Sequence, residues 1–239
     1  MTQRYPEISV QNVLSPDPWW VEDSNKDWCR GRLIKAFLPH VDQIPYTLIS
    51  EGRYDGVTHD QADVRAEPLR IKQVQPQTQV PVAGFPIYEG EVRILSRAKK
   101  RPALVISLGG DPVPRGLMRG KPRYMKGLYI LVAPYYGAQE GGLRAGYPPE
   151  FIRRVERCEF PQFMTDFLPF HRSEESLLRF DHIQPLGRHH ESIEATEYCL
   201  SDDALEIIDE WLTWIITGFL VKGGLIDDMR KDFLKISDS

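Results

Sequence analysis

Cysteine is scarce in this 239-residue chain: Cys29, Cys158 and Cys199 are an odd number and include no Cys-x-x-Cys pair. That scarcity argues against a disulfide framework and fits a reducing compartment. Long apolar runs are missing as well, since no stretch approaches the roughly 18 continuous apolar residues that a membrane-spanning helix needs. The opening MTQRYPEISV lacks the charged-then-apolar pattern of a secretory signal. These absences predict a cytoplasmic protein with no membrane partner. No internal repeat and no low-complexity segment occurs, which excludes solenoids and sticky tails. No cofactor motif is visible, and adjacent His189 and His190 rarely both reach one ion, so neither a cofactor nor a metal is expected.

What is present is the composition of a soluble globular protein, 41% hydrophobic and 27% charged. The net charge of −4 conceals a segregation. Residues 91–126 carry ten bases against two acids, whereas residues 191–239 carry twelve acids against four bases. A basic stripe of this kind is the footprint expected for a polyanion, because neutralising phosphates releases counterions. Its plainer meaning is a solvated loop compensated by the acidic tail.

Prolines interrupt nearly every run up to about residue 88, as in SPDPWW, FLPH, QIPY and VQPQTQVPVAGFP. This predicts an irregular but ordered N-terminal extension, residues 1–88, packed on a core domain of residues 89–239. Within it, YTLIS (46–50) and LRIKQV (69–74) read as short strands. Trp19, Trp20 and Trp28 either stack bases or are buried in packing, burial being the commoner fate. From Gly90 the texture changes to EVRIL (91–95), ALVIS (103–107) and LYILVAP (128–134), which read as strands, the first two joined as a hairpin. A long basic loop over 108–127 follows them. YPPEFIRRVERCEF predicts a short helix, and ESLLRFDHIQPL (175–186) alternates like a strand stopped by Pro185. Ser201, Asp202 and Asp203 predict the start of a helix whose buried stripe is Leu205, Ile208, Leu212, Ile215 and Ile216, ended by Gly218. A second, shorter helix is expected over about 225–234. The expected class is α+β: a small, mostly antiparallel β-barrel with a C-terminal helix.

Read in order, EGEVRIL, KKRPALVIS, GLYILVAPYY, LLRFDHIQPL and YCLSDDALEIIDEWLTWIITG resemble the MazF/PemK toxin family across about residues 88–220. The resemblance implies an SH3-like barrel that dimerises, cleaves single-stranded RNA without a metal and is restrained by an antitoxin. In such cleavage the ribose 2′-hydroxyl attacks the adjacent phosphate, which needs proton transfer and donors for the growing charge. Arg101 stands at the family's arginine before proline; a guanidinium is always charged and its planar fork suits phosphate oxygens. Tyr136 stands where the family has a catalytic Thr or Ser, Gln184 where it has a second arginine, and His182 two residues before that. The expected catalytic set is therefore Arg101, Tyr136 and His182, and the expected RNA-binding set is Lys99, Lys100, Arg115, Arg119, Arg123, Arg188 and His189. Arg101 also reads as a mere strand-entry charge, His182 as a core histidine, and Tyr135 and Tyr136 as packing at the barrel mouth. A non-catalytic barrel that binds nucleic acid or a protein partner is the alternative function.

Overall fold

The β-branched and aromatic runs form a curled half-barrel sheet because each puts apolar side chains on an inward face. The computed structural model describes residues 10–53, 57, 61–72, 90–111, 113–120, 129–139, 146–170, 174–187 and 191–237. The main sheet contains β1 (Trp20–Glu22), β2 (Arg32–Pro39), β6 (Ala98–Ser107), β7 (Tyr129–Gly137), β8 (Phe163–Phe167), β9 (Glu175–Arg179), β10 (Gln184–Gly187) and β11 (Ile193–Leu200). Its order is β1-β11-β2-β6-β7-β9-β8, with β10 also on β7. The β6–β7, β7–β9, β7–β10 and β2–β11 pairings are antiparallel. A separate sheet, β4-β3-β5, contains β3 (Tyr46–Arg53), β4 (Ala62–Pro68) and β5 (Ile94–Leu95). The chain divides into two compact units, Met1–Phe37 with Lys100–Ser239, and Leu38–Lys99. The α+β, mostly antiparallel class is as expected. The boundary near residue 88 lies outside the described residues.

Three α-helices occur among the described residues: α1 (Pro149–Glu156), α2 (Asp202–Thr217) and α3 (Leu225–Ser237). Ser201 caps α2 by accepting from the Ala204 amide at 3.3 Å, and Gly218 closes it in the left-handed region at φ +78°, where a side chain would be strained. The buried stripe differs from the expected one. Ala204, Ile207, Ile208, Trp211 and Trp214 are buried, whereas Ile216 is exposed. The two tryptophans bring the larger apolar area and so set the helix's rotation. Trp211 stacks on Phe180 and donates through Nε1 to the Pro161 carbonyl at 3.0 Å. Glu210 then accepts from the Leu225 and Ile226 amides, both at 3.0 Å, capping α3 from a distance.

Several expectations change. The stretch read as irregular supplies β1 to β4, because its prolines stand between strands or close them, as Pro39 closes β2 and Pro68 closes β4. The strand placed at Leu69–Val74 lies just earlier, at Ala62–Pro68, while residues 73 and 74 are outside the described set. The hairpin between 91–95 and 103–107 does not form: Ile94–Leu95 pairs with β3, and β6 pairs with β7. The run 175–186 is not one strand, since a 3-10 turn at Phe180–His182 separates β9 from β10. Trp19 and Trp20 are buried in the core, with Leu33, Leu104, Tyr135 and Leu178. No helix among the described residues is long and apolar enough to cross a membrane.

Candidate functional site

The register of β6 against β7 builds the site. Ala103 lies opposite Pro134, and continuing that antiparallel ladder two residues outward sets Arg101 opposite Tyr136. The side chains meet accordingly, with the Arg101 guanidinium carbon 4.1 Å from the Tyr136 ring centroid. Alternation along β7 sends the preceding residue the other way. Tyr135 is buried and donates its hydroxyl to Asp166 at 2.9 Å, an acceptor that also receives Trp20 Nε1 at 3.3 Å. Tyr135 is therefore core, and only Tyr136 reaches the site.

The 3-10 turn supplies the remaining parts. His182 is buried, at 6% exposure, and its Nδ1 lies 2.9 Å from the Tyr136 hydroxyl. Its Nε2 lies 2.7 Å from Arg179 Nη2. A guanidinium has donors only, so Nε2 accepts; the imidazole proton then sits on Nδ1 and is donated to Tyr136 Oη. Tyr136 thus accepts a hydrogen bond from His182. The Gln184 side-chain amide donates to the His182 carbonyl at 3.4 Å, bracing the turn that aims the imidazole.

Arg179 is held by Asp181 in a two-point pair, Nε to Oδ1 at 2.8 Å and Nη2 to Oδ2 at 2.5 Å, with Tyr147 Oη 3.5 Å from Nη1. Burial works against its charge, but the hydrogen bonds and charge of Asp181, with Tyr147, outweigh burial and hold the guanidinium above the ordinary arginine value. Arg179 also lies 5.4 Å from the Tyr136 ring and 5.0 Å from that of Phe163. Tyr136 is consequently flanked by two guanidinium groups of different standing. Arg179 is neutralised by Asp181, whereas Arg101 has no hydrogen bond or ion pair to a protein group among the described residues and keeps its in-plane N–H groups available.

The three residues expected to be catalytic, Arg101, Tyr136 and His182, therefore stand in one contact chain. The RNA-binding set is less unified. Lys99 is exposed, and Lys100 pairs with Glu194 on β11 at 3.6 Å. Arg115 opens a 3-10 turn at Arg115–Met118, and exposed Arg119 follows it. Arg123, Arg188 and His189 lie outside the described residues. Sequence reasoning missed Arg179, Asp181 and Tyr147. The signal was the segment RFDH: a straight strand puts Arg179 and Asp181 on the face opposite His182, whereas the turn gathers all three. Comparison with protein-family models, curated proteins and solved structures finds no match to this chain.

Proposed function

We propose that the protein acts on single-stranded RNA at the Arg101–Tyr136 pair, as a metal-independent endoribonuclease of the MazF/PemK kind on an SH3-like barrel. The observation that carries this reading is Arg101, laid over Tyr136 with no acidic partner among the described residues. Stacking occupies the guanidinium's face and leaves its edge for phosphate oxygens. On this reading the 2′-hydroxyl attacks the adjacent phosphorus and its proton passes to water. Arg101 bonds the non-bridging oxygens as charge grows on them, and Tyr136 gives its proton to the departing 5′-oxygen. On this reading His182, expected in the catalytic set, is a positioning residue. Its Nε2 lone pair is taken by Arg179, and its Nδ1–H supports the tyrosine oxygen as that oxygen becomes anionic. Homodimerisation, an antitoxin and a cytoplasmic setting belong to the same proposal through the family resemblance.

A second reading, RNA binding without cleavage, is favoured by one specific feature. Both imidazole nitrogens of His182 are engaged, so the site's histidine has no free lone pair for the 2′-hydroxyl proton. Incubating the protein with single-stranded RNA in EDTA separates the two. Cleavage predicts fragments ending in 2′,3′-cyclic phosphate, at a rate about 100-fold lower in Arg101→Ala. An undiminished rate in that variant removes the site from the chemistry. Salt-sensitive retention of intact RNA in every sequence context establishes binding alone.

A further inference from the structure

The folded chain brings Cys29 and Cys199, 170 residues apart in sequence, to an Sγ–Sγ distance of 3.0 Å as free thiols. Spacing in the sequence cannot show this pairing, because the two belong to a loop and a strand far apart in the chain. The backbone around them is anchored from both sides. Arg32 N donates to Cys29 O at 3.3 Å, Leu200 N donates to Gly31 O at 3.0 Å, and Gly31 N donates to Val105 O at 2.8 Å. Gly31 holds the turn at φ +82°, and a Cβ there would come within 3.0 Å of Leu205, so the turn packs closely on α2 and needs a glycine. Arg32 ties the same loop down through its ion pair with Asp23 and its bonds to the Asp27 and Thr196 carbonyls. Closing the sulfurs to a bond of about 2.05 Å needs a movement of about 1 Å, which side-chain rotation supplies.

We infer that Cys29 and Cys199 form a reversible dithiol–disulfide site, oxidised by small-molecule disulfides. The two sulfurs play different parts. Cys29 is partly exposed, whereas Cys199 is buried, and burial with the neighbouring Cys29 pushes the Cys199 thiol up to about 12. Cys29 therefore reacts first. Its thiolate attacks one sulfur of the small disulfide, releases one thiol and leaves a mixed disulfide. Cys199 then loses its proton to solvent and attacks Cys29 Sγ, releasing the second thiol. Two protein thiols are oxidised and one small disulfide is reduced to two thiols. Cys158 is an internal reference, since burial pushes its thiol to about 12 and no other cysteine contacts it.

The test is treatment of the full native chain with oxidised glutathione, followed by intact mass and peptide mapping. The expected product has lost two hydrogen atoms, joins the Cys29 and Cys199 peptides, leaves Cys158 as a thiol and reverts with dithiothreitol. A bond that closes so long a loop should also raise the melting temperature by about 10 °C. In Cys199→Ser the glutathione adduct should remain on Cys29. A stable adduct on Cys29 of the unsubstituted protein, modification of Cys158 at a comparable rate, or a Cys29–Cys199 bond that forms only after denaturation would each overturn the inference. The unsubstituted chain carries the primary readout, so the outcome does not depend on the variant folding.

Discussion

Arg32 and Arg101 stand on neighbouring strands, β2 and β6, and the chain uses them in opposite ways. The Arg32 side chain has 0% exposure, is paired with Asp23, and spends its other donors on the carbonyls of Asp27, Asp23 and Thr196. Burial opposes the charge of Arg32, but the Asp23 hydrogen bond leads the influences that hold it above the ordinary value. Arg101 is half-buried and lies over the face of Tyr136. A guanidinium whose hydrogen-bonding edge is consumed by protein carbonyls is a structural rivet. One that is merely stacked keeps that edge for a ligand. Arg179 is the intermediate case, neutralised by Asp181 while it orients His182.

The largest expected effect breaks the rivet. Arg32→Met keeps much of the apolar volume but leaves Asp23 and three carbonyl contacts unmatched, so denaturant unfolding should show a loss of about 3 kcal/mol. RNA binding measured well below the unfolding transition should change little. Arg101→Ala should do the reverse. RNA cleavage should fall about 100-fold, while unfolding shifts by no more than about 0.5 kcal/mol. A destabilisation as large as that of Arg32→Met would erase the distinction between the two arginines. Tyr136→Phe keeps the ring under Arg101 and removes the hydroxyl, so cleavage should drop at least about tenfold with RNA affinity nearly preserved. Equal losses of affinity and rate would mean that the hydroxyl only binds.

The smallest effect concerns Glu175, a buried carboxyl beside Glu156 whose Oε1 lacks a hydrogen-bond partner. Burial, reinforced by the charge of Glu156 and a hydrogen bond with it, raises Glu175 from the ordinary 4.5 to about 7. Between those two values the folded chain holds a proton that the unfolded chain has released. Its contribution is therefore fully present below about pH 4.5 and is lost as pH rises through about 7. Glu175→Gln should flatten that part of the stability profile and leave the variant roughly 1 kcal/mol more stable than the parent at pH 8. Unchanged pH dependence in urea titrations would show that the carboxyl is not held neutral.

Local chemistry made α2 legible, since Ser201, the first-turn acids and Gly218 act within one turn of themselves. β6 and β7 were legible for a similar reason, their β-branched runs being favourable in any sheet. The rotation of α2 was not, because Trp211 finds its partners in Phe180 and Pro161, which belong to distant segments. The strand reading of 175–186 failed because alternation cannot distinguish a straight strand from one interrupted by a 3-10 turn. That turn also decides which charges surround Tyr136. The resemblance pointed to Arg101, Tyr136 and His182 and set Gln184 where the family has its second arginine; the second guanidinium beside the Tyr136 ring is that of Arg179.

By itself the sequence determined that β6 and β7 are strands, where α2 starts and stops, and that Arg101 enters a strand extended by Pro102. These properties depend on near neighbours and on side-chain type. Only the tertiary structure decided that Arg101 meets Tyr136, that Arg179 takes the His182 lone pair, that Arg32 is consumed as a rivet, and that Cys29 meets Cys199. Each is a contact between strands or turns far apart in the chain, set by sheet register and shared burial, and no local pattern encodes it.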